Sequence, residues 1–132
     1  MNAGLIAGCF DPFPHPGILM SLESAVRYHN LSGVIVCLHT RPNVERPEKA
    51  EPQMTILERT VRAIRYVDEI HPYDTESDLL VLLQTLTYDV RILGDDYRDR
   101  DYTGIELNKP AYYAQRYHGW SATEFRKRLS GA

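Results

Sequence analysis

At 132 residues, with 43% hydrophobic and 25% charged residues, the chain has the length and make-up of one globular domain able to bury a core. A net charge of -3 supplies no polyanion-binding field, which argues against long nucleic acid as a partner, and no apolar run approaches the roughly 18–20 residues of a membrane span. Met1-Asn2-Ala3 has no basic leader, and Cys9 and Cys37 show no metal-type spacing, so a cytoplasmic protein with reduced thiols is expected.

Leu5 to Ala7 is a short apolar run and Ile18 to Tyr28 an amphipathic one. Between them stands Gly8-Cys9-Phe10-Asp11-Pro12-Phe13-Pro14-His15-Pro16-Gly17, so the order is strand, tight Gly/Pro loop, helix. In an open α/β sheet ligands sit where the first strand hands over to its helix, and the N–H groups there attract phosphate. Gly8 permits close backbone approach, and His15 adds a titratable donor. Gly33 to Leu38 is β-branched and bounded by turn signals, which predicts a strand buried on both faces and a right-handed βαβ unit.

His39 to Pro52 reads as a loop, because Pro42, Pro47 and Pro52 prevent regular structure. Its Arg41, Arg46 and Lys49 are either solvated or reach a bound phosphate. Gln53 to Arg65 is predicted as a helix with Met54, Leu57, Val61 and Ile64 on one face, running into Ile64–Ile70. Arg65 and Asp68 read by themselves as a surface pair at i, i+3. Thr75-Glu76-Ser77-Asp78 looks like a helix cap, and Leu79 to Leu86 like a core helix. Val90 to Leu93 is the fourth strand and runs into Gly94-Asp95-Asp96-Tyr97. Two carboxylates just past a strand's carboxyl end lie where such sheets build sites, although a plain Gly-Asp turn has the same residues. Arg98 to Lys109 reads as a surface loop, and Ala111 to Gln115 as the fifth strand. Ser121 to Glu124 fits a capping box opening the last helix, with Phe125 and Leu129 on its buried face. Ser121, Thr123, the free N–H groups there and the fork of Arg116 can hold phosphate oxygens. The expected architecture is α/β: a Rossmann-like single domain over residues 1–132, with a five-stranded parallel sheet flanked by helices.

Three motifs in order resemble the cytidylyltransferase-like nucleotidyltransferases. Gly8, Phe10, Asp11, His15 and Gly17 match the signature Gly-x-Phe-Asp-x-x-His-x-Gly-His, with one residue more between Asp11 and His15, and with Ile18, or Gly17 if the gap is placed otherwise, where the second histidine falls. Gly94-Asp95-Asp96 followed by an aromatic residue is the second match, and Arg116-x-x-Gly119-x-Ser121-x-Thr123 the third. The phrase Ile64-Arg65-Tyr66-Val67-Asp68-Glu69 resembles the glycerol-3-phosphate cytidylyltransferase branch, which implies that the helix gives way there to the third strand.

The resemblance implies transfer of CMP from CTP to a small phosphorylated alcohol such as glycerol 3-phosphate, with release of pyrophosphate. It implies catalytic roles for His15, Arg46, Lys49 and Arg116. Nucleotide binding falls to Gly8, Cys9, Phe10, Asp11, Gly94, Asp95, Asp96, Ser121 and Thr123. Arg65 and Asp68 go to the acceptor substrate or the edge of a dimer interface. It implies Mg²⁺ held mainly through nucleotide phosphates, without a dedicated protein ligand set, and a homodimer. Three other readings stay open: an ATP-using adenylyltransferase, a nucleotide-binding domain with weak or no turnover, and a structural domain.

Overall fold

The strand Gly33–His39 (β2) is buried at every residue, as an unbroken apolar run requires of a central strand covered on both faces. Around it a computed structural model describes residues 2–8, 16–40, 54–114 and 122–130. In chain order these are β1 (Ala3–Gly8), α1 (Pro16–His29), β2, α2 (Met54–Arg62), β3 (Val67–Tyr73), α3 (Glu76–Thr85), β4 (Val90–Gly94), β5 (Ala111–Ala114) and α4 (Ala122–Leu129). Single 3₁₀ turns lie at Asp95–Tyr97 and Ile105–Leu107. The strands stand in the order β3-β2-β1-β4-β5, and every pair is parallel. This is the predicted Rossmann-like α/β architecture.

Side chains alternate across the sheet, so each face has its own core. Ile6, Val34, Val36, Leu38, Val90 and Ile92 pack with Leu22 and Ala25 of α1 and Val61 of α2. Leu5, Ile35, Cys37 and Tyr73 pack on the other face with Leu79 and Leu83 of α3 and with Tyr88. Leu5 and Leu38 are 0% exposed, and each such leucine contributes about 1.5–3 kcal/mol relative to a solvated one. The N-terminus of α3 is closed by a capping box: the Thr75 hydroxyl accepts from Asp78 N at 3.1 Å, and the Asp78 carboxylate accepts from Thr75 N at 3.3 Å. None of the described helices is long and apolar enough to cross a membrane.

Four local expectations change. His39 belongs to β2 and is buried, not part of a loop. The helix expected to reach Arg65 ends at Arg62, and Ala63 to Tyr66 turn the chain into β3. Ile64 still packs against the core from that turn. Leu129 is 66% exposed, so it forms no buried stripe on α4. The segment after Asp96 is not a plain surface loop: Gly104 is buried, and Thr103 is bonded to a core arginine.

Candidate functional site

β1 is the strand from which the sheet is wound in both directions. The chain leaves it for β2 and β3 on one side, then returns to β4 and β5 on the other. Crossovers diverge at such a switch point, and the crevice they leave lies at the carboxyl ends of the two central strands. Gly8 ends β1 and Gly94 ends β4. Gly4 pairs with Val90 and Ile6 with Ile92, a register that, carried to the strand ends, sets Gly8 level with Gly94.

Gly94 is extended, at φ -70° and ψ 156°, a conformation open to any residue. Its value at a site would therefore be its lack of bulk. The turn Asp95–Tyr97 follows at once. Arg98 grips one oxygen of Asp95: Nε donates to Oδ1 at 3.0 Å, and Nη2 lies 2.8 Å from the same atom. Oδ2 takes no part in that pair, while Asp96 is exposed. Carboxylates so placed suit hydroxyl donors of a ligand or a hard cation.

Behind this turn lies a feature that sequence reading missed. Arg91 points into the α3 side of the sheet and is 5% exposed. Its Nη1 donates to Thr103 O at 2.7 Å, and its guanidinium lies 5.2 Å from the centre of the Tyr102 ring. Nε is the one buried side-chain polar atom without a hydrogen-bond partner among the described residues. Burial lowers the pKa of this guanidinium, while Tyr88 and Tyr102 act the other way. Burial also raises Tyr102, and the neighbouring Tyr113 phenol raises it further. Arg98 stacks on Tyr113 at 5.0 Å, and Arg100 on Tyr97 at 4.7 Å. A lone arginine within an otherwise apolar strand, Val90-Arg91-Ile92-Leu93, was the available signal.

Of the expected site residues, Gly8, Gly94, Asp95 and Asp96 come together at the carboxyl end of the sheet. Arg65 and Asp68 do not join them. They lie at the opposite end, where β2 and β3 begin. Arg65 lies over the Tyr66 ring at 5.2 Å. The register between β2 and β3 shifts between Val34 and Ile35, which makes Asp68 the extra residue of a bulge. Its carboxylate covers Gly33, where a Cβ would stand 1.7 Å from Oδ2. Thr123 is exposed in the first turn of α4. Cys9, Phe10, Asp11, His15, Arg46, Lys49, Arg116 and Ser121 lie outside the described residues.

His39, at the carboxyl end of β2, stacks on Tyr73 with ring centres 4.7 Å apart and planes 10° apart. Its Nε2 lies 3.0 Å from Asp74 O, so Nε2 carries the proton. Thr40 donates to the Asp74 carboxylate and, at 3.1 Å, to Tyr73 O. An open cleft of about 350 Å³ adjoins, lined by Tyr73, Asp74, Asp78 and Leu82 among others. Both of its acids are already engaged, Asp74 by Thr40 and Asp78 by the helix cap. Among the described residues no three ligating side chains converge on a metal position.

The sequence matches no family model and no curated protein. The fold does have solved counterparts. The lipopolysaccharide core biosynthesis protein from Thermoplasma volcanium GSS1 is 16% identical, with a TM-score of 0.64, over 87% of this chain and 95% of that one. At that identity the likeness establishes a shared α/β fold over nearly the whole of both chains.

Proposed function

We propose that the protein is a nucleotidyltransferase that moves CMP from CTP to a small phosphorylated alcohol and releases pyrophosphate. The observation that carries this reading is the meeting of Gly8 with Gly94-Asp95-Asp96 across the β1/β4 switch point. The three motif matches and a structural counterpart named for lipopolysaccharide core biosynthesis support it. In this reading the Asp95 and Asp96 turn takes the nucleoside, with a carboxylate oxygen accepting from ribose hydroxyls. The phosphates lie along the loop after Gly8. His15 donates to oxygens at the α-phosphorus, Arg46 and Lys49 meet the leaving pyrophosphate, and Arg116 with Ser121 and Thr123 holds the outer phosphates.

A phosphate oxygen of the acceptor attacks the α-phosphorus in line, and the bond to the bridging oxygen of pyrophosphate breaks. No protein nucleophile is needed, so the protein's contribution is positioning and charge stabilisation. The hard carboxylate oxygens after β4 suit Mg²⁺ carried mainly on nucleotide phosphates. When bound, the ion would neutralise phosphate charge. The homodimer remains part of the proposal, with Arg65 and Asp68, at the far end of the sheet, suited to an interface rather than to the crevice.

One observation favours a second reading, nucleotide binding without turnover. Ile18 stands where the family has its second histidine, and its side chain packs against the α1 core. Nothing donates to phosphate from that side chain. Pyrophosphate release with Mg²⁺, offering CTP and then ATP with a panel of phosphorylated alcohols, separates the readings. Release with CTP that His15→Ala abolishes supports the transferase. Release with ATP alone moves the assignment to an adenylyltransferase. Calorimetric CTP binding without release with any acceptor leaves the binding domain.

A further inference from the structure

A charged side chain in a domain core costs more than an apolar one of equal size unless its contacts offset its lost hydration. Arg91 has Leu5 beside it on β1, and Leu83 and Tyr88 belong to the core on its face of the sheet. It has no ion pair among the described residues, and its Nε is unpartnered. What it does have is the segment following the candidate nucleotide turn. Nη1 holds Thr103 O at 2.7 Å. Gly104 closes so tightly that a Cβ there would stand 3.2 Å from Nη1 and 2.6 Å from Leu83 Cδ1, and its φ of +91° favours glycine. The Tyr102 ring lies against the guanidinium. From Tyr102 a chain of neighbours runs back toward β4: the Tyr113 phenol lies close enough to Tyr102 to raise its pKa, Arg98 stacks on Tyr113, and Arg98 grips Asp95. Between these anchors Arg98 to Asp101 are exposed, and Arg98 N and Arg100 N bond back within the turn to Asp95 O and Tyr97 O at 3.1 and 3.3 Å. An arginine can donate to a carbonyl and stack its planar face on a tyrosine at once, which neither lysine nor leucine does.

We propose that Arg91 is a positioning residue: from inside the core it fixes the segment Asp95–Gly104, through Thr103 directly and through Tyr102, Tyr113 and Arg98, and so holds Asp95 and Asp96 in place at the end of β4. Its importance for ligand binding rests on the nucleotide reading above. The hold on the segment does not.

The test is amide hydrogen exchange of the full chain, without nucleotide, for wild type, Arg91→Lys, Arg91→Met and Tyr102→Phe, followed by CTP and ATP titration of each. In Arg91→Met, exchange over residues 95–104 rises about tenfold or more while the β1 and β2 amides keep their protection. Arg91→Lys rescues part of it. Tyr102→Phe loosens only the part nearest Asp95. With nucleotide, KM or Kd rises about tenfold in Arg91→Met and kcat stays within about twofold, the pattern of a lost binding geometry. A folded Arg91→Met with unchanged exchange over 95–104 overturns the proposal. Should Arg91→Met lose protection throughout the sheet, Tyr102→Phe decides: unchanged exchange at 95–98 overturns it there as well. Wild-type protein that binds neither CTP nor ATP refutes the nucleotide reading, while the exchange result still settles what Arg91 holds.

Discussion

The amino ends of the sheet and the carboxyl ends of β1 and β4 use their polar groups differently. At the amino ends the chain satisfies itself. Asn2 O accepts from Ser32 N at 2.7 Å and from Ser32 Oγ at 2.9 Å. Ala3 N donates to the Asp89 carboxylate at 2.8 Å, and Asp89 N returns a bond of 2.8 Å to Ala3 O. Asp68 lies over Gly33. At the carboxyl ends of β1 and β4, by contrast, Asp95 gives only one oxygen to Arg98, and Asp96 is exposed. These four aspartates thus have two kinds of work. Asp68 and Asp89 cover or tie the backbone, while Asp95 and Asp96 present charge where a parallel sheet receives ligands. Residue type alone does not separate them, and neither does strand end alone, since Asp74 just past β3 is held by Thr40; what sets Asp95 and Asp96 apart is the β1/β4 switch point.

The contrast can be tested at both ends. The largest effect is expected at Gly104, the floor beneath the ligand end. Gly104→Ala must strain a φ of +91° and displace Leu83, at a cost of about 2–3 kcal/mol in urea unfolding. Ile18 lies at the ligand end by sequence but packs in the core. Ile18→His is expected to lose about 2 kcal/mol, because it places a polar ring against the α1 cluster. If stability instead holds and turnover appears, Ile18 belongs to the site. At the closed end, Gly33→Ala should cost about 1–2 kcal/mol by pushing the Asp68 carboxylate off its seat. In an Asp68→Ala background the same change should cost far less, and a double-mutant cycle reads the difference. The smallest effect on stability is expected from Asp95→Asn and Asp96→Asn, within about 0.5 kcal/mol, alongside a roughly tenfold loss of CTP affinity by calorimetry. A large stability loss with unchanged affinity would make the two ends alike.

The sequence showed the elements better than the contacts between them. The β2 run, the Thr75–Asp78 cap and the Gly94–Asp96 turn carry local signals, namely β-branched residues, a box spacing and a glycine followed by acids, and each lies where its signal indicated. Arg65 and Asp68 show the limit. Their phrase identifies a helix-to-strand passage, but which end of the sheet it occupies depends on pairing with Gly33 and Val34, far away in the chain. Arg91 shows another. Its partner is the backbone carbonyl of Thr103, and a carbonyl has no letter in the sequence. His39 reads as a loop residue because the prolines begin just after it, whereas its pairing with Tyr73 places it in β2 and the two rings stack. For the loop after Gly8 and for residues 41–53 and 115–121, the candidate roles still rest on motif and resemblance.

Cys37 has a practical consequence. It lies fully buried in the second strand, and burial pushes its thiol up to about 12. At neutral pH roughly one molecule in 10⁵ would carry the thiolate, the form that reacts with alkylating agents. Covalent labelling must therefore wait for the sheet to open. In a Cys9→Ser background, the rate at which a thiol reagent modifies Cys37 becomes a clock for opening of the central strands. Each variant discussed here could be timed with it, without spectroscopy and in crude lysate, and a bound nucleotide that slows the clock would report its own affinity.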